Sequence, residues 1–356
     1  MKHRFLIPAL MMVVAISLIA VPVGAQTRPT PAQPSRPAAS QATTAKAWLP
    51  PKTSWGDPDL QGIYTSDDYI GVGLQRDAAL GTRLYRTEEE MKQRQSQLDS
   101  ASQNALQEFQ NPSAQVGTGP PGHWGERARS APRQTSLLVE PEDGRLPSLT
   151  PLGQARTAAA NAERQGAGTA RPADSWEGYT YYIRCITRGI AGSVLPVIYG
   201  NGTEIVQGPG YVAILQEMVH ESRIIPLDGS KHVGEGVQTY MGDSRGHFEG
   251  NTLVIETTNL LDNKTGLGGN GAGTPLSSAA RITERLTRTA KDTIAYEMRI
   301  EDPLTYTAPF KFAFPIKQEP GYQNFEYACH EGNNGMMNQL SAARAEERAA
   351  AEAQKK

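Results

Sequence analysis

Hydrophobic and polar positions change texture near residue 175. From there to about 330, short runs rich in β-branched and aromatic residues alternate with turn signals. Phe310, Phe312, Phe314 and Ile316 fall on one face of an extended chain, as do Ile294, Tyr296, Met298 and Ile300. The spacing predicts strands over 195–199, 203–207, 211–220, 222–227, 240–248, 252–259, 280–289, 293–301, 310–316 and 323–329. Gly200-Asn201-Gly202, Gly208-Pro209-Gly210, Asp228-Gly229 and Glu249-Gly250-Asn251 supply the turns. Consecutive strands with short links make an antiparallel meander, and a meander this long must curl to hide its edges. The fold class expected is therefore mainly β, a lipocalin-like barrel with a few peripheral helices. A barrel of about eight strands or slightly more has room for one small ligand.

The first half has a different pattern. Lys2 and Arg4 precede an almost wholly apolar run, Phe5 to Val21, and Val23-Gly24-Ala25 places small residues before Gln26. This is the layout of a cleavable signal peptide over 1–25, too short in its apolar part for a spanning helix of ~20 residues. No later segment is apolar enough to cross a bilayer. Residues 26–46 are rich in Pro, Ala, Ser, Thr and Gln, the composition of a disordered tether. The stretch 47–175 is expected to be an extended arm plus helices packed on the barrel. Thr87-Glu88-Glu89-Glu90 is a capping box opening a surface helix from 88 to about 109, and Thr150-Pro151 opens a second to about 165. The barrel domain is expected over 176–335, followed by a C-terminal helix and tail over 336–356.

Composition refines this picture. Gly (35) and Pro (25) are frequent and hydrophobic residues are only 38%, as for one core diluted by loops. Net charge is −2, from 35 basic and 37 acidic residues, which offers no footprint for nucleic acid or an anionic membrane. Export, to a periplasm or beyond the cell, makes the two cysteines readable: Cys185 and Cys329 are expected to form a disulfide. Closing a loop of about 145 residues stabilises a fold by about 5 kcal/mol in the chain-entropy limit.

Several segments carry a resemblance: Cys185-Ile-Thr-Arg-Gly189, Leu195-Pro-Val-Ile-Tyr-Gly200, Ile224-Ile-Pro-Leu-Asp-Gly229, Tyr240-Met-Gly-Asp-Ser-Arg-Gly246, Glu249-Gly-Asn-Thr-Leu-Val254 and Tyr327-Ala-Cys-His-Glu-Gly-Asn333. With Trp55 to Gly62 and Pro147 to Pro151, they resemble a family of exported proteins of environmental bacteria. His247 and Phe310 depart from that pattern, which has an aromatic residue and a Trp there. The resemblance implies export and one shared fold, and adds no reaction.

Candidate chemistry is sparse. Gly266-Leu-Gly268-Gly269-Asn-Gly271 matches a dinucleotide fingerprint by letters, but no helix can start at Ala272-Gly-Thr-Pro275 to receive a pyrophosphate. Gly242-Asp-Ser-Arg-Gly246 matches a nucleophile elbow, with Asp302 and His330 in hydrolase order, yet another strand follows where a helix is required. Glu217 sits in a run apolar on both faces, which implies burial and a partner such as Arg184, Arg188 or Arg223. His220-Glu221 and His330-Glu331 are the other cluster. Two His and a carboxylate suit zinc, but their wide separation is weak support, and no cofactor is expected.

The leading expectation is a barrel binding a small, partly apolar molecule, with Tyr199, Glu256, Tyr296, Glu326 and Asn333 as contacts. The alternative is a hydrolase or lyase in the same cavity, with Glu217 and His220 or His330 as acid–base pair and Tyr240 or Arg245 steadying charge. A third class is a structural cell-envelope protein with a solid barrel.

Overall fold

The computed structural model describes residues 48–111, 123, 125–163, 175–268, 271, 273–319 and 321–355. The expected signal peptide and the whole of the tether lie outside them. The elements in chain order are β1 (Gly62–Thr65), α1 (Glu88–Gln110), β2 (Leu138–Glu140), α2 (Pro151–Glu163), α3 (Gly189–Val194), β3 (Thr203–Gly208), β4 (Tyr211–Gln216), β5 (Ser222–Pro226), β6 (Asp243–Glu249), β7 (Thr252–Thr258), β8 (Arg281–Ala290), β9 (Thr293–Glu301), β10 (Phe310–Gln318) and α4 (Asn334–Ala353).

Nine strands form one antiparallel sheet in the order β5-β4-β3-β1-β10-β9-β8-β7-β6, with β2 also pairing β10. The sheet is a nearly closed barrel. Side chains alternate as the pleat requires: in β8, β9 and β10 every second residue is buried. Phe310, Phe312, Phe314, Ile294, Met298 and Ile300 are at most 2% exposed. The capping box of α1 forms in full, with Thr87 Oγ1 accepting from Glu90 N–H and Glu90 accepting from Thr87 N–H.

Four segments differ from the sequence expectation. Residues 195–199 form no strand; they leave the buried one-and-a-half-turn helix α3, whose apolar side chains find a core on every side. The arm contributes β1 and β2, and β1 bridges β3 and β10. The 211–220 run stops at Gln216, because Val219 (φ 65°) and His220 (φ 42°) are left-handed. Residues 323–329 carry no ladder; they belong to a strap, Tyr322 to Asn333, that is bonded to Glu217, His220 and Cys185. Beyond β7, Leu267 and Leu276 are core residues, and a Cβ on Gly192 of α3 would stand 2.9 Å from Gly268 O.

The barrel's two terminal strands, β5 and β6, share no ladder. They meet through side chains. A Cβ at Gly246 would lie 2.8 Å from Leu227 Cδ2 and 2.9 Å from Ile225 Cγ2, so only glycine lets β6 approach this closely. Inside, Arg223 of β5 reaches Glu284 of β8 with two bonds, 2.6 and 3.0 Å, and Tyr296 O–H donates to Glu284 at 2.8 Å. Burial opposes the Arg223 charge, but Glu284 outweighs it and holds the guanidinium above its ordinary value. Burial and then Glu284 push the Tyr296 hydroxyl well up. Val194 of α3 borders the same small void, so the helix stoppers this part of the barrel.

Removing one partner should expose the cost of the other's burial. Glu284→Gln is expected to lower unfolding free energy by about 3–5 kcal/mol, and Arg223→Met with Glu284→Leu to regain most of it. Urea unfolding of the three proteins checks this; equal losses in the single and double variants would contradict it.

Candidate functional site

The void bounded by Arg223, Glu284 and Tyr296 is only about 10 Å³, room for about one water. At this level the barrel is filled by its own side chains. Tyr296, expected as a ligand contact, spends its hydroxyl on Glu284. Glu256 stands opposite Arg245 on β7 and is half-exposed on the outer face.

A larger space than this void lies outside, beside the disulfide. Cys185 and Cys329 are bonded, with Cα atoms 5.6 Å apart. The bond ties the strap to the chain just before α3. Next to it opens a cleft of about 450 Å³, lined by Tyr182, Ile183, Tyr327 and Met336 with Glu326 and Gln339. Asn333 lines it too, and its amide has three tasks: Oδ1 caps α4 by accepting from Met336 N–H, while Nδ2 donates to Ile183 O at 2.8 Å and touches Cys185 Sγ at 3.4 Å. Glu326 and Asn333, two of the nominated contacts, both line this cleft.

Tyrosines cluster behind this cleft. Tyr199 and Tyr182 hydroxyls are 3.3 Å apart, and Tyr327 joins them. Burial first, then the two neighbouring phenols, raises Tyr182 above its ordinary value. The cation behind them is Arg188, 1% exposed, drawn down to about 10 by burial against the opposing pull of the tyrosines and Glu221. Glu221 accepts from Thr187 O–H (2.7 Å) and Arg188 N–H (3.2 Å), which holds the start of α3. Burial raises its carboxyl, with those two bonds opposing.

Glu217 is buried, at 6% exposure, and among the described residues no arginine is bonded to it. It accepts from Tyr322 O–H at 2.5 Å, Phe325 N–H at 3.0 Å and Gly202 N–H at 3.3 Å. A Cβ on Gly202 would fall 2.6 Å from Glu217 Oε2, so glycine is required for this approach. Glu217 thus pins the strap to the end of β3 and β4. His220 Nδ1 bonds Tyr327 O at 2.9 Å on the same strap. His330 is exposed and follows the disulfide. Tyr240 packs on Tyr181 with ring centroids 5.4 Å apart, and Arg245 pairs with Asp243 at 2.9 Å. The nominated acid–base residues Glu217, His220 and His330 therefore lie on or against the strap, whereas Arg245 is on β6 and Tyr240 just before it. Ser244 bonds Thr257 inside the barrel, while Asp302 accepts from Ser277 and Thr305, so they face different partners. Among the described residues no group of three or more His, Cys, Asp or Glu is arranged to hold a metal, and no helix is long and apolar enough to cross a membrane.

Sequence reasoning missed Tyr182, Tyr327 and Glu126. Asn201, buried, donates to Asp67 (2.8 Å) and Glu126 (3.1 Å), and Gly200 N–H donates to Glu126 (3.1 Å). Burial, then the charge of Asp67 and a hydrogen bond shared with it, raise Glu126 to about 7. Their only signal was the Gly-Asn-Gly spacing, which reads as a hairpin turn. No family model, curated protein or solved structure matches this chain.

Glu126 makes stability pH-dependent with a definite sign. The folded chain keeps this proton between the ordinary value of 4.5 and about 7, whereas the unfolded chain loses it. The contribution is full below the ordinary value and lost as pH rises through about 7. Urea midpoints measured from about pH 5 to pH 8 should fall more steeply for the wild type than for Glu126→Gln. Parallel slopes would refute the assignment.

Proposed function

We propose that this chain is an exported binding protein that takes a small, partly apolar molecule in the cleft beside the Cys185–Cys329 disulfide. One observation carries the reading. The cleft's volume of about 450 Å³ lies in the range of about 300–1,000 Å³ typical of small-molecule sites, and its lining joins aromatic and aliphatic walls to a few polar groups. Tyr182, Tyr327, Ile183 and Met336 supply the apolar faces; Glu326, Gln339 and the tyrosine hydroxyls supply hydrogen bonds. Binding beside the barrel replaces binding within it, because side chains fill the interior around Glu284. Export is supported by the disulfide, which persists in oxidising compartments, and by the apolar N-terminal run followed by small residues.

The strap is what assembles the cleft. Cys329 and Glu217 hold it at two points, and α4 starts from its end. A ligand here gains contact with three segments that no single element could present.

Anilinonaphthalene sulfonate, an aromatic probe with one polar head, is expected to bind saturably with enhanced fluorescence. Tyr327→Ala and Met336→Glu should each weaken it by about tenfold or more, equivalent to about 1.4 kcal/mol. Saturable binding that neither substitution changes, or no binding at all, would sink the proposal.

A further inference from the structure

A second cleft, of about 640 Å³, opens where the 231–238 loop meets the ends of β7 and β8. It shares no lining residue with the disulfide cleft. His232 lines it, and its ring is fixed from behind: Nδ1 lies 2.7 Å from Asp243 Oδ2. Asp243 is itself held, accepting from Val233 N–H at 3.3 Å and pairing through Oδ1 with Arg245 Nη1 at 2.9 Å. Arg245 also donates through Nε to Lys231 O at 3.2 Å, tying the loop to β6. Asn259 (φ 60°) locks the loop's other end, its amide donating to Gly234 O (3.0 Å) and Val237 O (2.9 Å).

A carboxylate held by arginine accepts and does not donate, so Nδ1 carries the proton and the neutral ring has its lone pair on Nε2. Among the described residues nothing bonds that Nε2. An imidazole oriented by a carboxylate, with its second nitrogen free beside a cleft, is the arrangement a general base requires. The charges alongside define the substrate. Lys231 and Arg281 line the same cleft, make no ion pair among the described residues, and face only Glu235 as a lining acid.

We infer that His232, oriented by Asp243, is the general base of a hydrolytic site for small esters carrying a carboxylate. His232 Nε2 takes a proton from water as the water oxygen bonds to the ester carbonyl carbon. The ester C–O bond then breaks, and the imidazolium returns the proton to the departing alkoxide. The products are a carboxylic acid and an alcohol, with no redox change. Asp243 stays ionised and balances the transient imidazolium; it and Arg245 are positioning residues. Lys231 and Arg281 receive the substrate's carboxylate.

The test follows 4-nitrophenol release from 4-nitrophenyl hemisuccinate by the full chain. His232→Gln should lower kcat by about 100-fold or more. Asp243→Asn should lower kcat and displace the rising limb of the pH–rate profile, a shift that a purely structural role would not produce. Arg281→Gln should raise KM for the hemisuccinate by a much larger factor than KM for neutral 4-nitrophenyl acetate. Circular dichroism and urea midpoints confirm that each variant is folded. Equal rates for wild type and folded His232→Gln, whether both are active or both idle, overturn the general base. An unmoved KM in Arg281→Gln overturns the anionic substrate class. Neither outcome bears on probe binding at Tyr327 and Met336.

Discussion

The barrel depends on one buried charge pair. Its sheet is rolled but not zipped, since β5 and β6 face each other without a ladder. Arg223, on the terminal strand β5, reaches through the interior to Glu284 on β8, two strands in from the other edge. That bond does across the core what a ladder does elsewhere around the wall. Its position also explains the filled interior, because two charges there demand close partners and exclude a loosely packed ligand. Tyr296 completes the shell around Glu284, and α3 covers it.

With the interior occupied, exposed chemistry moves to what is laid on the barrel. The strap runs from Tyr322 to Asn333 without regular structure, yet Glu217, the disulfide and the Asn333 amide fix it at successive points. Each anchor comes from a different part of the chain. The disulfide cleft is the space these anchors enclose. The His232 cleft arises in the same way from a loop held by Arg245 and Asn259.

Legibility in the sequence followed how each feature is encoded. Strands β8, β9 and β10 were plain, because strict alternation over nine or ten residues has one reading. The Thr87 capping box was equally local. α3 was not legible: Gly-Ile-Ala-Gly-Ser-Val is buried on all sides, so no polar face marks its period. β1 is four residues long and carries no repeat. The burial of Glu217 could be foreseen from its apolar neighbours, but its partners could not. Backbone N–H groups and a tyrosine about a hundred residues away leave no trace beside it. The pairing of Cys185 with Cys329 was foreseeable because two cysteines allow a single answer. The tyrosines beside it were not, since Tyr182 and Tyr327 are far apart in the sequence and become neighbours only in the fold. His232 lies in a polar loop, where a histidine attracts no notice until Asp243 stands behind it.

The strand order divides the barrel into two runs of sequence neighbours, β3-β4-β5 and β6 through β10. Each run closes hairpin by hairpin, at small loop-entropy cost. Joining them is another matter: β3 and β10 share no ladder, and both pair with β1, a short piece from the far N-terminal side. Contacts of such separation form slowly. The wall is thus a two-part assembly, and Gly62–Thr65 is the short piece of ladder that carries the hydrogen bonding from one half to the other.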